Sequence, residues 1–356
     1  MSKSGKHVHV VGTGTIGEPL IGLLLDFRKS LGVEKVSFNK KQALTYDRPK
    51  VKNLIKRGAD LVADQDMIAD FEKLGMKISH EYEEAIDMAD VVIDCTPAGN
   101  KNKEAHYDAV ADNTAGFVAQ GSEFGFGKMY ARGINDEALE HGKDKFIQVV
   151  SCNTHNLAVM IDTLALQEKD PSNLAEGRFV LIRRANDISQ DSKFVPAPQA
   201  GKHSDEKFGT HHARDAFHLF QTMGYELPLY SSAMKVNTQY MHSMWFSMKL
   251  RERITLPQVI SRLRENQRVA LTEKLSANSI FSFGRDQGHF GRLLSQTVVA
   301  VPTLHVRDEH EIVGFTFTPQ DGNSLLSSIA ITAWFLYPDD YVERLQPLRE
   351  YFFEEI

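Results

Sequence analysis

Apolar and polar positions follow two different rhythms along this chain, one before residue 152 and one after it. Residues 7–12 (HVHVVG) form a short apolar run that predicts a buried strand. Thr13 to Gly17 predict a glycine turn, and the apolar spacing of residues 18–31 (EPLIGLLLDFRKSL) predicts a helix. A second strand is expected over residues 33–38 (VEKVSF). Strand, helix and strand in this order make a βαβ unit, which implies a parallel sheet with helices on its faces. The rhythm continues with a short helix at 66–75, a strand at 76–79, a helix at 81–89 and a strongly apolar strand at 90–96 (DVVIDCT). A helix near 101–111 and strands at 115–119 and 146–151 complete it. A doubly wound domain ending close to Cys152 is the expected result.

Beyond Cys152 a helix-like run begins near Asn156, and then the texture changes. Residues 178–184, 227–250, 297–306 and 311–318 are rich in strand formers with few clear crossover helices. A mostly antiparallel sheet with helices on one side, an α+β domain, is the natural reading. Residues 185–213 hold Pro196, Pro198, Gly201 and Gly209 among polar neighbours and predict a long loop of functional or interfacial use. Residues 322–336 (GNSLLSSIAITAWFL) predict an apolar helix that returns to the first domain. The expected division is therefore 1–151 with about 320–356 for the doubly wound domain, and 152–319 for the α+β domain.

At 356 residues, two domains are expected on size alone. A net charge of -6 gives no support for nucleic acid or an anionic membrane as partner. The two cysteines, Cys95 and Cys152, form no CxxC pair, which fits a reducing cytoplasm. The first residues lack the apolar stretch of a signal peptide, and no window approaches eighteen consecutive apolar residues.

Gly12-Thr13-Gly14-Thr15-Ile16-Gly17 is a complete GxGxxG. Alone the pattern is weak; between a predicted strand and a predicted helix it marks a Rossmann-type dinucleotide site. Gly12 permits the tight turn, Gly14 admits the pyrophosphate, Gly17 allows close helix–strand packing, and the helix N-terminus offers free N–H groups. An acid at the end of the second strand would take the ribose 2′-hydroxyl of NAD. This chain has Asn39-Lys40-Lys41 there, and no acid until Asp47. Two lysines suit a 2′-phosphate, so NADP is preferred over NAD, although a lysine pair is ordinarily a solvated surface feature.

Cys152 sits in Ser151-Cys152-Asn153-Thr154, directly after a predicted buried strand. A cysteine is most often a small buried hydrophobe, and Cys95, in an apolar strand, is read that way, with Thr96 and Pro97 beside the cofactor. Cys152 differs in three respects. It lies at a strand end, where open α/β sheets bind ligands. Asn153 offers a donor for a developing oxyanion. The following helix would place the thiol at a helix N-terminus, which lowers its pKa.

Val149-Val150-Ser151-Cys152-Asn153-Thr154 resembles the active-site segment of archaeal-type (type II) glyceraldehyde-3-phosphate dehydrogenases. Gly12 to Gly17 match that family's glycine turn, and Asp90 to Pro97 resembles its fourth-strand motif. Gln120-Gly121 resembles its QGG, with Ser122 in place of the last glycine. Arg183-Arg184-Ala185 resembles its double-arginine segment, and His211-His212, with Asp215, its HHGPD segment. The resemblance spans roughly residues 7–335. It implies a Rossmann-type domain binding NAD(P), with Gly12, Gly14, Thr15, Ile16, Gly17, Asn39, Lys40, Lys41, Thr96, Pro97, Gln120 and Gly121 as cofactor contacts. It also implies a homotetramer, and a histidine base beyond the His-His segment. Matching Met241-His242 keeps the register without gaps to Arg268-Val269 and assigns His242, with an insertion around 229–240; the rival match puts Lys235 there.

The implied chemistry is phosphorylating oxidation of glyceraldehyde 3-phosphate through a Cys152 thioester, activated as a thiolate–imidazolium pair. Such a site must hold two anions, the substrate phosphate and inorganic phosphate. Thr154, Arg183, Arg184, His211 and His212 are the expected donors. Neighbouring strand residues face opposite ways, so one arginine is expected instead in a structural ion pair, for example with Asp187. The chain has 14 histidines but neither HExxH nor CxxC spacing, and no metal is expected. Trp245 and Phe246 are read as core or subunit contacts. An aspartate-semialdehyde dehydrogenase and a non-catalytic NADP-binding sensor are the competing readings.

Overall fold

Eight short strands build one parallel sheet from the first part of the chain. They are β1 (His7–Val11), β2 (Lys35–Asn39), β3 (Asp60–Ala63), β4 (His80–Glu81), β5 (Val91–Asp94), β6 (Gly116–Gln120), β7 (Lys128–Tyr130) and β8 (Phe146–Val149). Their order is β4-β3-β2-β1-β5-β6-β8-β7, with every pairing parallel. The computed structural model describes residues 5–121, 123–166, 169–188, 190, 194–319 and 321–356. They form two units. One holds the described residues up to Arg132 with Leu139–Val149 and Leu325–Arg349; the other holds Gly133–Ala138, Val150–Ser324 and Glu350–Ile356.

The first unit is a Rossmann-type α/β unit, and its core explains its strands. All five residues of β1 are buried, as expected for a parallel strand covered on both faces. The two histidines of β1 survive burial by sharing one hydroxyl: His7 Nε2 and His9 Nδ1 lie 2.7 and 2.8 Å from Ser37 Oγ on β2. Burial holds these imidazoles neutral, with pKa values pushed down to about 4 and about 3. The helix expected over 18–31 is α1 (Gly17–Asp26) followed by a short turn, Arg28–Leu31, that closes on Gly32 at φ +66°. The strand expected at 76–79 falls at His80–Glu81, which pair with Val62 and Ala63 of β3. The stretch near 101–111 is a succession of α, π and 3₁₀ turns rather than one helix.

The second unit carries β9 (Leu174–Arg183), β10 (Gln199–Ala200), β11 (Leu229–Lys235), β12 (His242–Leu250), β13 (Val269–Thr272), β14 (Thr297–Ala300), β15 (His305–Arg307) and β16 (Glu311–Thr318). The order is β10-β11-β9-β12-β16-β14-β13, with β15 also on β16. Pairing is mostly antiparallel, with parallel pairs at β9–β11 and β13–β14. Helix α2 (Cys152–Leu164) lies on this sheet. Its Asn156 Nδ2 donates to Thr316 Oγ1 and Thr318 Oγ1 of β16 at 2.9 and 2.8 Å. On the opposite face Trp245 is paired across strands with Phe315 and Val180, and Phe315 is 38% exposed.

Helix α3 (His211–Gln221) begins where the long loop was expected to end, so the His-His pair opens a helix. The last seven residues, expected with the first domain, belong to the second unit. Leu271 N–H donates to Glu354 O, and Ile356 N–H to Leu271 O. Helix α4 (Gly322–Leu336) matches its expected range. Among the described residues no helix is long and apolar enough to cross a membrane.

Candidate active site

In the first unit the chain reverses its winding at β1, between β2 and β5, the position where doubly wound sheets bind ligands. The glycine turn follows β1 there. Gly12 has φ +92°, a conformation that side chains resist. A Cβ on Gly17 would lie 2.1 Å from Gly12 O, so only glycine lets α1 close on the turn. Gly14 is exposed and a Cβ there would meet nothing within 4 Å. Thr15 and Ile16 complete the turn at the N-terminus of α1, with Ile16 as its cap residue. Thr96 and Pro97 follow β5, and the Thr96 methyl lies 3.1 Å from the Cβ position of Gly12. Gly12, Gly14, Thr96 and Pro97 line a cavity of about 1000 Å³.

The end of β2 enters the same cavity. Asn39 is 6% exposed and its Nδ2 has no hydrogen-bond partner. Lys40, expected to be available, is bound to Asp47 at 2.5 Å, because the turn after β2 brings the acid back to the strand end. Lys41 is exposed and makes no ion pair among the described residues. Lys50, not singled out in the sequence, donates to Thr13 O at 3.0 Å and pairs with Glu18 at 3.1 Å, tying the glycine turn to the next helix. Gln120 and Gly121 end β6. Gln120 Nε2 donates to Ser328 Oγ at 2.7 Å, and Gly121 turns at φ +70°. Ser122 lies outside the described residues.

In the second unit Cys152 is the first residue of α2, and Ser151 caps the helix by accepting from Thr154 N–H at 3.3 Å. The half-buried thiol does not have the lowered pKa expected of a helix N-terminus. Burial pushes it up to about 12, reinforced by Asp321 and Asp187; Arg184 and the Asn153 backbone N–H pull the other way. Asn153 is held by Thr318, whose hydroxyl donates to Asn153 Oδ1 at 3.2 Å, leaving the amide nitrogen as the donor end. Thr154, expected to face phosphate, is fully buried, and its hydroxyl is taken up by Ser151 Oγ at 2.9 Å in the helix cap.

The double arginine divides as strand geometry requires. Arg184 is buried and forms ion pairs with Asp187 and, at 3.6 Å, with Asp321. Arg183 is exposed and makes no ion pair among the described residues. His211 and His212 occupy the first turn of α3, their rings 3.9 Å apart. His212 is buried with neither ring nitrogen hydrogen-bonded. Burial, His211, Arg183 and His242 hold it well below the usual histidine range; burial, Arg183 and Arg214 push His211 down to about 4. Asp215 pairs with Arg214 at 2.9 Å.

Strand register separates the two candidate bases. His242 pairs with Thr318, and the pairing of Ser243 with Ile182 carries His242 opposite Arg183, which is itself paired with Lys235. The row across the sheet is thus Thr318, His242, Arg183, Lys235. Strands lie about 4.8 Å apart, so Lys235 stands roughly 10 Å further than His242 from Thr318 and the Asn153 it holds. His242 Nδ1 accepts from Arg184 N–H at 2.9 Å, and burial with Arg184 and Arg183 keeps its ring neutral. Residues 229–240, expected as an insertion, supply β11 and a clamp on the arginine loop: Ala185 N–H donates to Thr238 O at 2.7 Å, and Gln239 Nε2 to Gln190 O at 2.8 Å.

Asp321 and Asn323 had no local signal in the sequence. Asn323 Nδ2 donates to Cys152 O at 2.9 Å and Gln296 O at 3.1 Å, anchoring the Cys152 backbone. No metal-ligand cluster occurs among the described residues.

No family model matches the chain. Individual relatives do, among them three proteins named glyceraldehyde-3-phosphate dehydrogenase. The protein of Methanobacterium bryantii is 28% identical over 324 residues, covering 85% of this chain and 86% of its own. That of Methanobacterium formicicum is 28% identical over 282 residues, 75% of this chain and 74% of its own. That of Methanococcoides burtonii is 30% identical over 291 residues, 79% of each chain. With a Rossmann-type glycine turn in one unit, a cysteine as the first residue of a helix in the other, and relatives of this name matched over most of its length, the chain belongs to the archaeal-type glyceraldehyde-3-phosphate dehydrogenase family as a divergent member.

Proposed function

We propose that this chain catalyses the reversible, phosphorylating oxidation of glyceraldehyde 3-phosphate to 1,3-bisphosphoglycerate, with NADP, or else NAD, as acceptor. One observation carries the proposal: His242 and Arg183 stand opposite each other on the sheet of the second unit, the His211-His212 pair opens a helix close enough for both to act on His212, and the helix opened by Cys152 lies on that same sheet. Arg183 and the helix N-terminus beneath His211-His212 suit phosphate oxygens. Neutral histidines beside Arg183 gain protons most easily when an anion arrives, so phosphate and imidazolium stabilise each other.

The first unit fits a dinucleotide by its own features: the open approach at Gly14, the unpartnered Asn39 Nδ2 and the exposed Lys41. Gly12 to Gly17, Thr96, Pro97, Gln120 and Gly121 would hold it, and Asn39 and Lys41 are the donors that suit a 2′-phosphate, Lys40 being engaged by Asp47. When bound, the nicotinamide supplies the acceptor for the hydride of the bound aldehyde. The chain's own residues do the rest. His242 takes the thiol proton at Nδ1, giving up the Arg184 N–H it accepts at rest, as sulfur bonds to the carbonyl carbon, and the Asn153 amide offers its N–H to the oxyanion. Oxidation leaves a Cys152 thioester, and inorganic phosphate held by Arg183, His211 and His212 displaces the sulfur to give the acyl phosphate.

Absorbance at 340 nm with the aldehyde, NADP or NAD, and inorganic phosphate tests this. Reduction that needs phosphate is expected, and faster with NADP. Reduction that proceeds equally without phosphate would remove the phosphorolysis step. We further propose that the protein works in the cytoplasm as a tetramer, with the Val180, Trp245 and Phe315 face as a self-association surface; a monomer mass by sedimentation at assay concentration would overturn that assembly.

A further inference from the structure

Two carboxylates converge on Arg184, and they differ in kind. Asp187 lies three residues on, and its ion pair closes the local loop. Asp321 comes from far along the chain, with its Oδ1 3.6 Å from Arg184 Nη2. It adopts a left-handed backbone at φ +60°, is 5% exposed, and its Oδ2 has no hydrogen-bond partner. A buried, half-satisfied carboxylate in that conformation is destabilising, and such strain concentrates where a site needs it. Two residues on, Asn323 holds the Cys152 carbonyl, so one short segment carries both the acid and the anchor of the nucleophile. The charged groups that act on the thiol are Arg184, Asp187 and Asp321; Arg292 acts on Asp321, and His242 is bonded to the Arg184 backbone.

We infer that Asp321 is a positioning residue for Cys152: its ion pair with Arg184 withholds the guanidinium charge from the sulfur and keeps the resting thiol protonated. Asp187 and Asp321 both oppose a thiolate, and Arg184, shared between them, offsets only part of that charge; Arg184 and Arg292 keep the Asp321 carboxylate charged against the burial that raises it. Removing Asp321 takes one opposing charge away and releases Arg184 toward the sulfur. A protonated thiol is slow to alkylate and to oxidise, so Asp321 guards the nucleophile between turnovers. The consequence for turnover rests on the catalytic role proposed for Cys152; the ionisation of the thiol does not.

The test is the pH dependence of Cys152 alkylation by iodoacetamide in the full chain, read at the Cys152 peptide by mass spectrometry. Asp321→Asn keeps size and tolerates positive φ; Asp321→Gly does so with no side chain and serves if the amide variant misfolds. A like charge at close range is worth one pH unit or more. The alkylation midpoint is therefore expected to fall by about one unit, with alkylation below it about tenfold faster. An unchanged or raised midpoint in a folded variant overturns the inference. Because alkylation needs no turnover, a shifted midpoint in a protein without dehydrogenase activity would sink the proposed reaction and leave the role of Asp321 standing.

Discussion

Cys152→Ser should lower turnover by at least about a thousandfold while leaving NADP binding within about twofold of the wild type. A serine at the first residue of α2 suits a helix start, and the backbone anchors at Asn323 and Ser151 do not involve the sulfur, so the fold should survive. What is lost is the nucleophile. A hydroxyl ionises far less readily than a thiol, and two nearby carboxylates oppose the anion further. Steady-state rates at 340 nm and a fluorescence titration with NADP give both quantities. Retention of more than a tenth of the activity would rule out a thioester route.

The second large effect is expected at His242. Replacement by asparagine should cost about a hundredfold to ten-thousandfold in kcat, the usual worth of a positioned base. An asparagine oxygen can still accept the Arg184 N–H now bonded to Nδ1, so the strand ends should stay in place. Lys235→Ala is the comparison. Lys235 stands two strands away along the same row, and its loss should change kcat by less than about threefold. The reverse ranking of the two variants would show that Lys235 is the base.

Both predictions start from a resting state that differs from the thiolate–imidazolium pair implied by the resemblance. Burial raises the thiol and lowers the imidazole, so both rest neutral. Under the proposed reaction such a site is charged by its ligands: a phosphate beside Arg183 and the His-His pair would offset the positive charge that helps hold His242 neutral, and His242 would then accept the thiol proton more readily.

The sequence by itself determined the features that depend on local backbone chemistry. The GxGxxG turn needs φ +92° at Gly12 and a missing Cβ at Gly17, which glycine alone supplies. The strand–cysteine–helix junction was legible because an apolar run ends and a small polar cap follows. Tertiary structure decided which side chains are available. Lys40 looked available until the turn after β2 returned Asp47 to it. Thr154 looked like an anion donor until the cap of its own helix engaged it. Arg184 was separated from Arg183 by strand alternation, which the sequence anticipates, but its second partner, Asp321, lies more than a hundred residues away. The two candidate bases were separated by register, since His242 and Lys235 occupy one row and only the order of strands sets their distance from Thr318. Backbone preferences act between neighbours along the chain and are written there. Charge pairing, burial and strand order act between segments that meet only on folding, and they decide which candidate donors remain able to bind.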